Sequence, residues 1–245
     1  MTTIIIVQAR MNSSRLPGKV IMPALGVPLL EILIARLKRV RRADSICVAC
    51  TYNPEDQQIV DLSQRLGVEV YRGSEENVLE RYFRAAQGFQ ADHVVRVTAD
   101  SPLIDPAELD RLITYYHSHI VDFDYVDNGS THTYPLGMQA EVFSVSALNA
   151  AHREATTTSD KEHVTPFIIR HPDRFRKSAV AFWCDQSFYR LTVDTQNDFE
   201  LVAKLIAGLY PTTPEFSIYD VLELLARNPE WANINRHIKQ RTIML

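Results

Sequence analysis

Strand-like and helix-like signals alternate through the first half of the chain, and that rhythm predicts an α/β fold on a mostly parallel sheet. Two further observations support it. The apolar run Ile4–Val7 opens directly into a polar, turn-rich loop, as strands of open α/β sheets do at their ligand edge. The segments between successive strand signals are each long enough to hold a helix, which makes them right-handed crossovers covering both faces of the sheet. The expected architecture is Rossmann-like and doubly wound.

Taken in order, Ile4–Val7 is the first strand, and a helix from Pro28 to Arg39 gathers Leu29, Leu30, Leu33, Ile34 and Leu37 on one side. A strand at Ile46–Cys50 precedes a helix from about Pro54 to Leu66, with Ile59, Val60, Leu62 and Leu66 on one face. The strand Val68–Tyr71 leads to a helix over Val78–Phe89, and the strand His93–Thr98 to one over Ala107–His117. From Asp122 the rhythm changes. Strand-like pieces at Phe123–Val126, Ala140–Phe143, Phe175–Trp183 and Tyr189–Val193 mix with helices near Ser146–Ala155, Glu162–Arg170 and Asp198–Leu209. The polar stretch Asp127–Pro135 joins the two parts. A last helix, from Ser217, carries Val221, Leu222, Leu224 and Leu225, and the more polar Asn228–Gln240 is expected to pack on the body or on a second subunit. No repeat or low-complexity linker marks a boundary, so residues 1–245 read as one domain, with 1–120 and 121–245 as its halves.

Composition narrows the function. Hydrophobic residues at 46% and charged residues at 23% are those of a soluble globular protein. A net charge of -4 argues against a nucleic-acid surface, because phosphate-backbone binders carry a basic excess. No apolar run approaches the ~20 residues of a membrane span, and MTTIIIVQAR lacks the basic region and cleavage site of a signal peptide, so no membrane insertion and a cytoplasmic location are expected. Cys47 and Cys50 have C-x-x-C spacing, but on a strand they point to opposite faces and cannot share a metal or a disulfide. They read as small core residues.

Three polar clusters follow strand signals. In Gln8–Lys19, Arg10, Arg15 and Lys19 crowd three cations at a strand end, which calls for something negative between them. Asn12, Ser13, Ser14, Pro17 and Gly18 build turns that aim backbone N–H groups inward, and a nucleoside triphosphate is the fitting guest. Asp100 follows the strand HVVRVT, and Asp194 follows YRLTV. Two carboxylates facing a cationic loop suit Mg²⁺, which takes one or two carboxylates and completes its shell with water and substrate phosphates. The bland alternative is that each aspartate caps the helix after it, Asp194-Thr195-Gln196-Asn197-Asp198 in particular having N-cap character.

The motifs QARMNSSRLPGK, Pro28-Leu29-Leu30, GSEENVLERY, TADSPLIDP, AEVFS, EHVTPFI and TVDT, in this order from about Ile4 to Glu200, resemble the cytidylyltransferase superfamily. The pattern is most similar to the spore-coat polysaccharide biosynthesis type, related to CMP-KDO and CMP-sialate synthetases. The resemblance implies a glycosyltransferase-A-like (nucleotide-diphospho-sugar transferase) fold and transfer of CMP from CTP to a sugar-acid hydroxyl, with release of pyrophosphate. It implies that residues 1–120 form the nucleotide-binding half and 121–245 the acceptor-side and C-terminal helical part. Arg10, Arg15 and Lys19 would then hold the triphosphate, with Asp100 the fourth catalytic group; Asp100 and Asp194 would hold Mg²⁺. Gln8, Ala9, Gly73, Ser74, Asn77, Thr98 and Ala99 would line the nucleotide, and a homodimer is implied.

One departure stands out. Relatives often read Gly-Leu-Asp-Val-Glu where this chain has Gly137-Met138-Gln139-Ala140-Glu141, so an acid is replaced by an amide on the expected acceptor side. Gln139, Glu141 and His163 are the acceptor-side candidates. Two other functions compete. Asp122-Phe123-Asp124 imitates the D-x-D metal motif of glycosyltransferases that use a nucleotide-sugar donor, although the nearby Asp127 also fits a solvated acidic edge. A catalytically silent nucleotide-binding module would bind nucleotide without turnover. Lys38, Arg39, Arg41 and Arg42 suit a helix C-terminus, and Trp183 and Trp231 read as packing residues.

Overall fold

The computed structural model describes residues 1–240. Chain order runs β1 (Thr3–Gln8), a short ribbon of β2 (Pro23–Ala24) and β3 (Val27–Pro28), α1 (Leu29–Leu37), β4 (Ser45–Thr51), α2 (Gln57–Arg65), β5 (Glu69–Gly73), α3 (Val78–Gly88), β6 (His93–Thr98) and α4 (Pro106–Ser118). The second half holds β7 (Tyr125–Asp127), β8 (Glu141–Ser144), α5 (Val145–Glu154), α6 (Thr158–His163), α7 (Pro166–Arg170), β9 (Lys177–Ala179), α8 (Gln196–Leu209) and α9 (Ile218–Arg227). Seven strands form one mixed sheet in the order β5-β4-β1-β6-β8-β7-β9. The first four are parallel, β8 runs antiparallel to both β6 and β7, and β9 is parallel to β7. This is the Rossmann-like, mostly parallel sheet flanked by helices that the sequence predicts.

Continuous apolar strands are buried on both faces, as parallel sheets require. Ile5 and Val7 face a core shared with α1, α2 and α4, while Ile4 and Ile6 face one shared with α3 and α5. Cys50 falls in the first core and Cys47 in the second. Burial pushes the Cys47 thiol up to about 12 and that of Cys50 up to about 11, so neither is a ready thiolate. A third core, under α8 and α9, gathers Leu103, Met138, Phe182, Leu191 and Val193. No helix among the described residues is long and apolar enough to cross a membrane.

The second half departs from the sequence reading in three places. Tyr189–Val193 is not a sheet strand: it makes one bridge, Leu136 to Arg190, and its apolar residues sit in the third core. The expected helix Glu162–Arg170 is two helices, because Val164 takes φ 73 and Pro166, two residues on, starts the second. The long strand expected over Phe175–Trp183 shrinks to β9. Asp122 and Asp124 precede β7, and the Asp124 carboxylate accepts from the Arg176 backbone N–H at 2.9 Å and from its Nε at 3.3 Å.

Candidate active site

The C-terminal ends of β1, β4 and β6 lie side by side, and the loop after β1 is built there from the backbone up. Ala9 N–H donates to Ala49 O and Ala99 N–H to Gln8 O, so pairing continues past the strand ends. Asp56, fully buried, accepts from the Met11 N–H at 2.7 Å and from both the N–H and hydroxyl of Thr51, tying the loop to β4. Gly18, at φ 71, turns the chain back, with its N–H on Met11 O, and delivers Lys19 into a single 3₁₀ turn.

Lys19 is 8% exposed, and its Nζ donates to Asp100 Oδ2 and Asp194 Oδ1, both at 2.8 Å. The second oxygen of Asp194 meets Arg15 Nη2 at 3.0 Å and Arg190 Nη2 at 2.8 Å. Arg190 in turn donates through Nε to Asp198, which is fully buried. Burial works against the charge on Lys19, but Asp100 and Asp194 outweigh it and hold the ammonium above its ordinary range. Burial likewise opposes the Asp194 carboxylate, and Lys19, Arg15 and Arg190 outweigh it and hold that carboxyl below its ordinary value.

Neither aspartate is a helix cap. Asp105 caps α4 by accepting from the Ala107 and Glu108 N–H groups, and Thr195 with Asp198 forms the capping box of α8. The two carboxylates converge instead on one buried cation. Among the described residues no group of three or more His, Cys, Asp or Glu side chains is placed to hold a metal ion. A pair of carboxylates meeting at one point is nevertheless the donor set of Mg²⁺ bound jointly with substrate phosphates, so these residues fit that ion.

From this point a cleft of about 1210 Å³ runs across the sheet edge toward β8, β7 and β9. Gln8, Ala9, Arg10, Arg15, Lys19, Thr98, Ala99, Asp100 and Asp194 line it on one side, and Gln139, Glu141 and His163 on the other. Far-separated stretches of sequence thus share one cavity. Glu141 is saturated: Oε2 pairs with Arg96 Nη1 at 2.6 Å, while Oε1 accepts from Tyr125 and Thr165, both at 2.8 Å. That bonding makes it a wall post more than a free acid. Burial, the largest influence on His163, lowers its pKa and favours the neutral ring.

Gly73, Ser74 and Asn77 do not line the cleft. Asn77 caps α3 by accepting from the Glu80 N–H at 3.0 Å, Ser74 Oγ accepts from the Asn77 N–H, and Gly73 packs against the Arg81 side chain. The same loop does reach the cleft rim through Glu75, 3.7 Å from Arg10. Asp122 and Asp124 lie outside the cleft as well. Sequence reasoning passed over Arg190 and took Asp127 for part of a solvated acidic edge, whereas Asp127 is buried. Arg190 stands four residues before Asp194, a spacing that carries a signal only if the segment is known to turn back on itself. Asp127, in a turn-forming Asp-Asn-Gly-Ser stretch, lines the cleft with its carboxyl raised by burial against the opposing bonds from Ser130 and Gly129.

Comparison with known proteins shows the family of the chain. The cytidylyltransferase family matches residues 4–232. The spore coat polysaccharide biosynthesis protein SpsF of Bacillus subtilis is 34% identical over 238 residues, covering 93% of this chain and 95% of that one. An uncharacterized protein of Methanocaldococcus jannaschii is 37% identical over 243 residues, covering 97% of this chain and 96% of the other. The solved structure of a cytidylyltransferase from Leptospira borgpetersenii superposes with a TM-score of 0.91 at 30% identity, covering 99% of this chain and 100% of its own.

Proposed function

Because the chain belongs to the cytidylyltransferase family, we propose that it transfers CMP from CTP to a sugar acid or related acceptor, releasing pyrophosphate, in surface-polysaccharide biosynthesis. The observation that carries this reading is the convergence of Lys19, Arg15, Asp100 and Asp194 at one strand-end point that opens into the cleft. A binding module has no need of paired carboxylates aimed at the same place as a triphosphate loop.

In the reaction the acceptor hydroxyl oxygen bonds to the α-phosphorus, and the bond from that phosphorus to the bridging oxygen of the β-phosphate breaks. Pyrophosphate departs with the bonding pair. Arg10, Arg15 and Lys19 hold the triphosphate and neutralise the charge that grows on the leaving group. Asp100 and Asp194 are the residues that would hold Mg²⁺, whose charge would draw the phosphate oxygens and the acceptor oxygen together. His163, whose ring burial keeps neutral, is the acceptor-side group suited to take the hydroxyl proton. Gln139, where relatives often carry an acid, faces the acceptor and bears on which sugar is used.

The test is pyrophosphate release with CTP and a panel of sugar acids, with and without Mg²⁺. CTP- and acceptor-dependent release supports the reading. Release of CMP or nucleoside diphosphate from a nucleotide sugar, without pyrophosphate, would replace it with the glycosyltransferase alternative.

A further inference from the structure

Among the described residues, one buried cation in the cleft has no hydrogen-bond or ion-pair partner. Arg81, on the second turn of α3, is 2% exposed, and its guanidinium makes no hydrogen bond or ion pair with any described residue. Its Nε and Nη1 are wholly shut off from solvent without a partner. Buried guanidinium N–H groups left unpaired are costly, and folds keep them where a missing group completes them. Arg39, Ser45 and Asp160 also carry orphaned atoms, but among these four only Arg81 lines the cleft.

Its position is fixed from two sides. Helix α3 packs against β1, β4 and β5, which places Arg81 on the β4–β5 side of the β1 loop. Gly73, at the end of β5, leaves room for its stem: a Cβ there would lie 2.5 Å from Arg81 Cγ. The carboxylate pair sits at the other flank of the β1 loop, after β6, and the acceptor wall lies farther on, at β8 and β7. A nucleotide whose phosphates occupy the β1 loop and whose α-phosphorus faces the acceptor wall has its base directed toward β4 and β5.

Resting on the function proposed above, we infer that Arg81 reads the nucleobase, donating to the adjacent O2 and N3 acceptors of cytosine. A guanidinium presents only donors. Cytosine offers two neighbouring acceptors on that edge, whereas uracil replaces one of them with an N–H, setting donor against donor in a site too buried for water to intervene. The same arginine thus favours CTP and rejects UTP. Burial first, and with it the neighbouring Arg10, works against the charge on Arg81, which a polyanionic nucleotide would favour.

The test is equilibrium binding of CTP, UTP and inorganic tripolyphosphate to the intact chain and to Arg81→Met, Arg81→Lys and Gly73→Ala. Wild type should prefer CTP over UTP. Arg81→Met should weaken CTP by about tenfold or more and leave UTP and tripolyphosphate within about threefold. Its melting temperature without nucleotide should not fall, since an unpaired buried charge is removed. Arg81→Lys keeps the charge without the fork and should also lose discrimination, and Gly73→Ala should do so by displacing the arginine stem. Equal weakening of all three ligands would make Arg81 a phosphate contact and overturn the inference. An unchanged CTP:UTP ratio in a folded Arg81 variant would overturn it too, while leaving the proposed function standing. Absence of any nucleotide binding by wild type would bring down the proposed function and this inference together.

Discussion

Arg190 holds Asp194 from behind: its Nη2 donates to Asp194 Oδ2 at 2.8 Å while Lys19 takes Oδ1 on the other side. The same guanidinium is anchored by Asp198, so a helix cap and a carboxylate of the candidate site are joined through one arginine.

Arg190→Ala should therefore act on both. Removing one member of a buried ionic group leaves Asp198 uncompensated and should cost about 3–5 kcal/mol of stability. Arg190→Lys cannot bridge both aspartates, so its kcat for pyrophosphate release should fall with KM for CTP changing less. A lysine variant with wild-type kcat would show that Asp194 needs no such support.

Asp100→Asn and Asp194→Asn should each keep the fold and lower kcat by about 10²-fold or more, as loss of charge stabilisation at a reacting phosphate does. The check is turnover against Mg²⁺ concentration beside the far-ultraviolet circular dichroism of each variant. Either variant at wild-type rate would remove that residue from the reaction centre.

Lys19 occupies the point that a divalent cation would share. Lys19→Met should then bind Mn²⁺ at least about tenfold more tightly than wild type in the absence of nucleotide, yet turn over far more slowly. Calorimetric titration with Mn²⁺ reads the first effect and pyrophosphate release the second. Unchanged or weaker Mn²⁺ binding would mean the carboxylate pair is not a cation site.

His93 gives the fold a pH dependence of its own. Burial first, then the neighbouring His117, lowers its pKa to about 4 from an ordinary 6.5. The folded state therefore binds fewer protons than the unfolded chain between those values, and stability present above pH 6.5 should decline as the pH falls toward 4. The loss reaches up to about 3 kcal/mol. Melting temperatures across that range should fall for wild type and fall less for His93→Gln.

Gly137 lies at φ 96, where a Cβ would meet the Thr192 backbone nitrogen at 2.4 Å. Gly137→Ala should push away the segment that ends in Asp194, lowering both stability and kcat. A variant with wild-type melting temperature and rate would show that the two segments can separate without consequence.

The first half of the fold was readable because each buried parallel strand is a short apolar run followed by a helix with a clear apolar side, as in Ser45–Thr51 with Gln57–Arg65, where Ile59, Val60 and Leu62 are buried. Two of the three polar clusters, after β1 and β6, were readable because strand ends of such sheets collect on one edge; Asp194 follows a segment that is no sheet strand and is brought beside them by the Leu136–Arg190 bridge and the Val193 N–H on Asp100 O. Tyr189–Val193 was misread because alternation of apolar residues looks the same whether they face a sheet or the third core, and only the Gly137 approach decides. Arg190, Asp127 and Arg81 left no local mark. Their meaning lies in partners far along the chain, or in having none, and neither is written in spacing. In the Gly73–Asn77 stretch the side chains serve the helix end and the arginine stem, a division that a motif alone does not display.

The residues that steady Asp194 are themselves clasped by the end of the described chain. Asn235 donates to Asp198 Oδ1 and to Arg190 O, both at 2.8 Å, and Gln240 Oε1 accepts from Arg190 Nη1. During synthesis, Lys19 and Asp100 emerge early and can meet, but the grip on Asp194 closes only after residues 235–240 have left the ribosome. The nascent chain is thus expected to complete its third core, through Phe216, Val221 and Leu225, and the setting of Asp194 from the same late-emerging stretch.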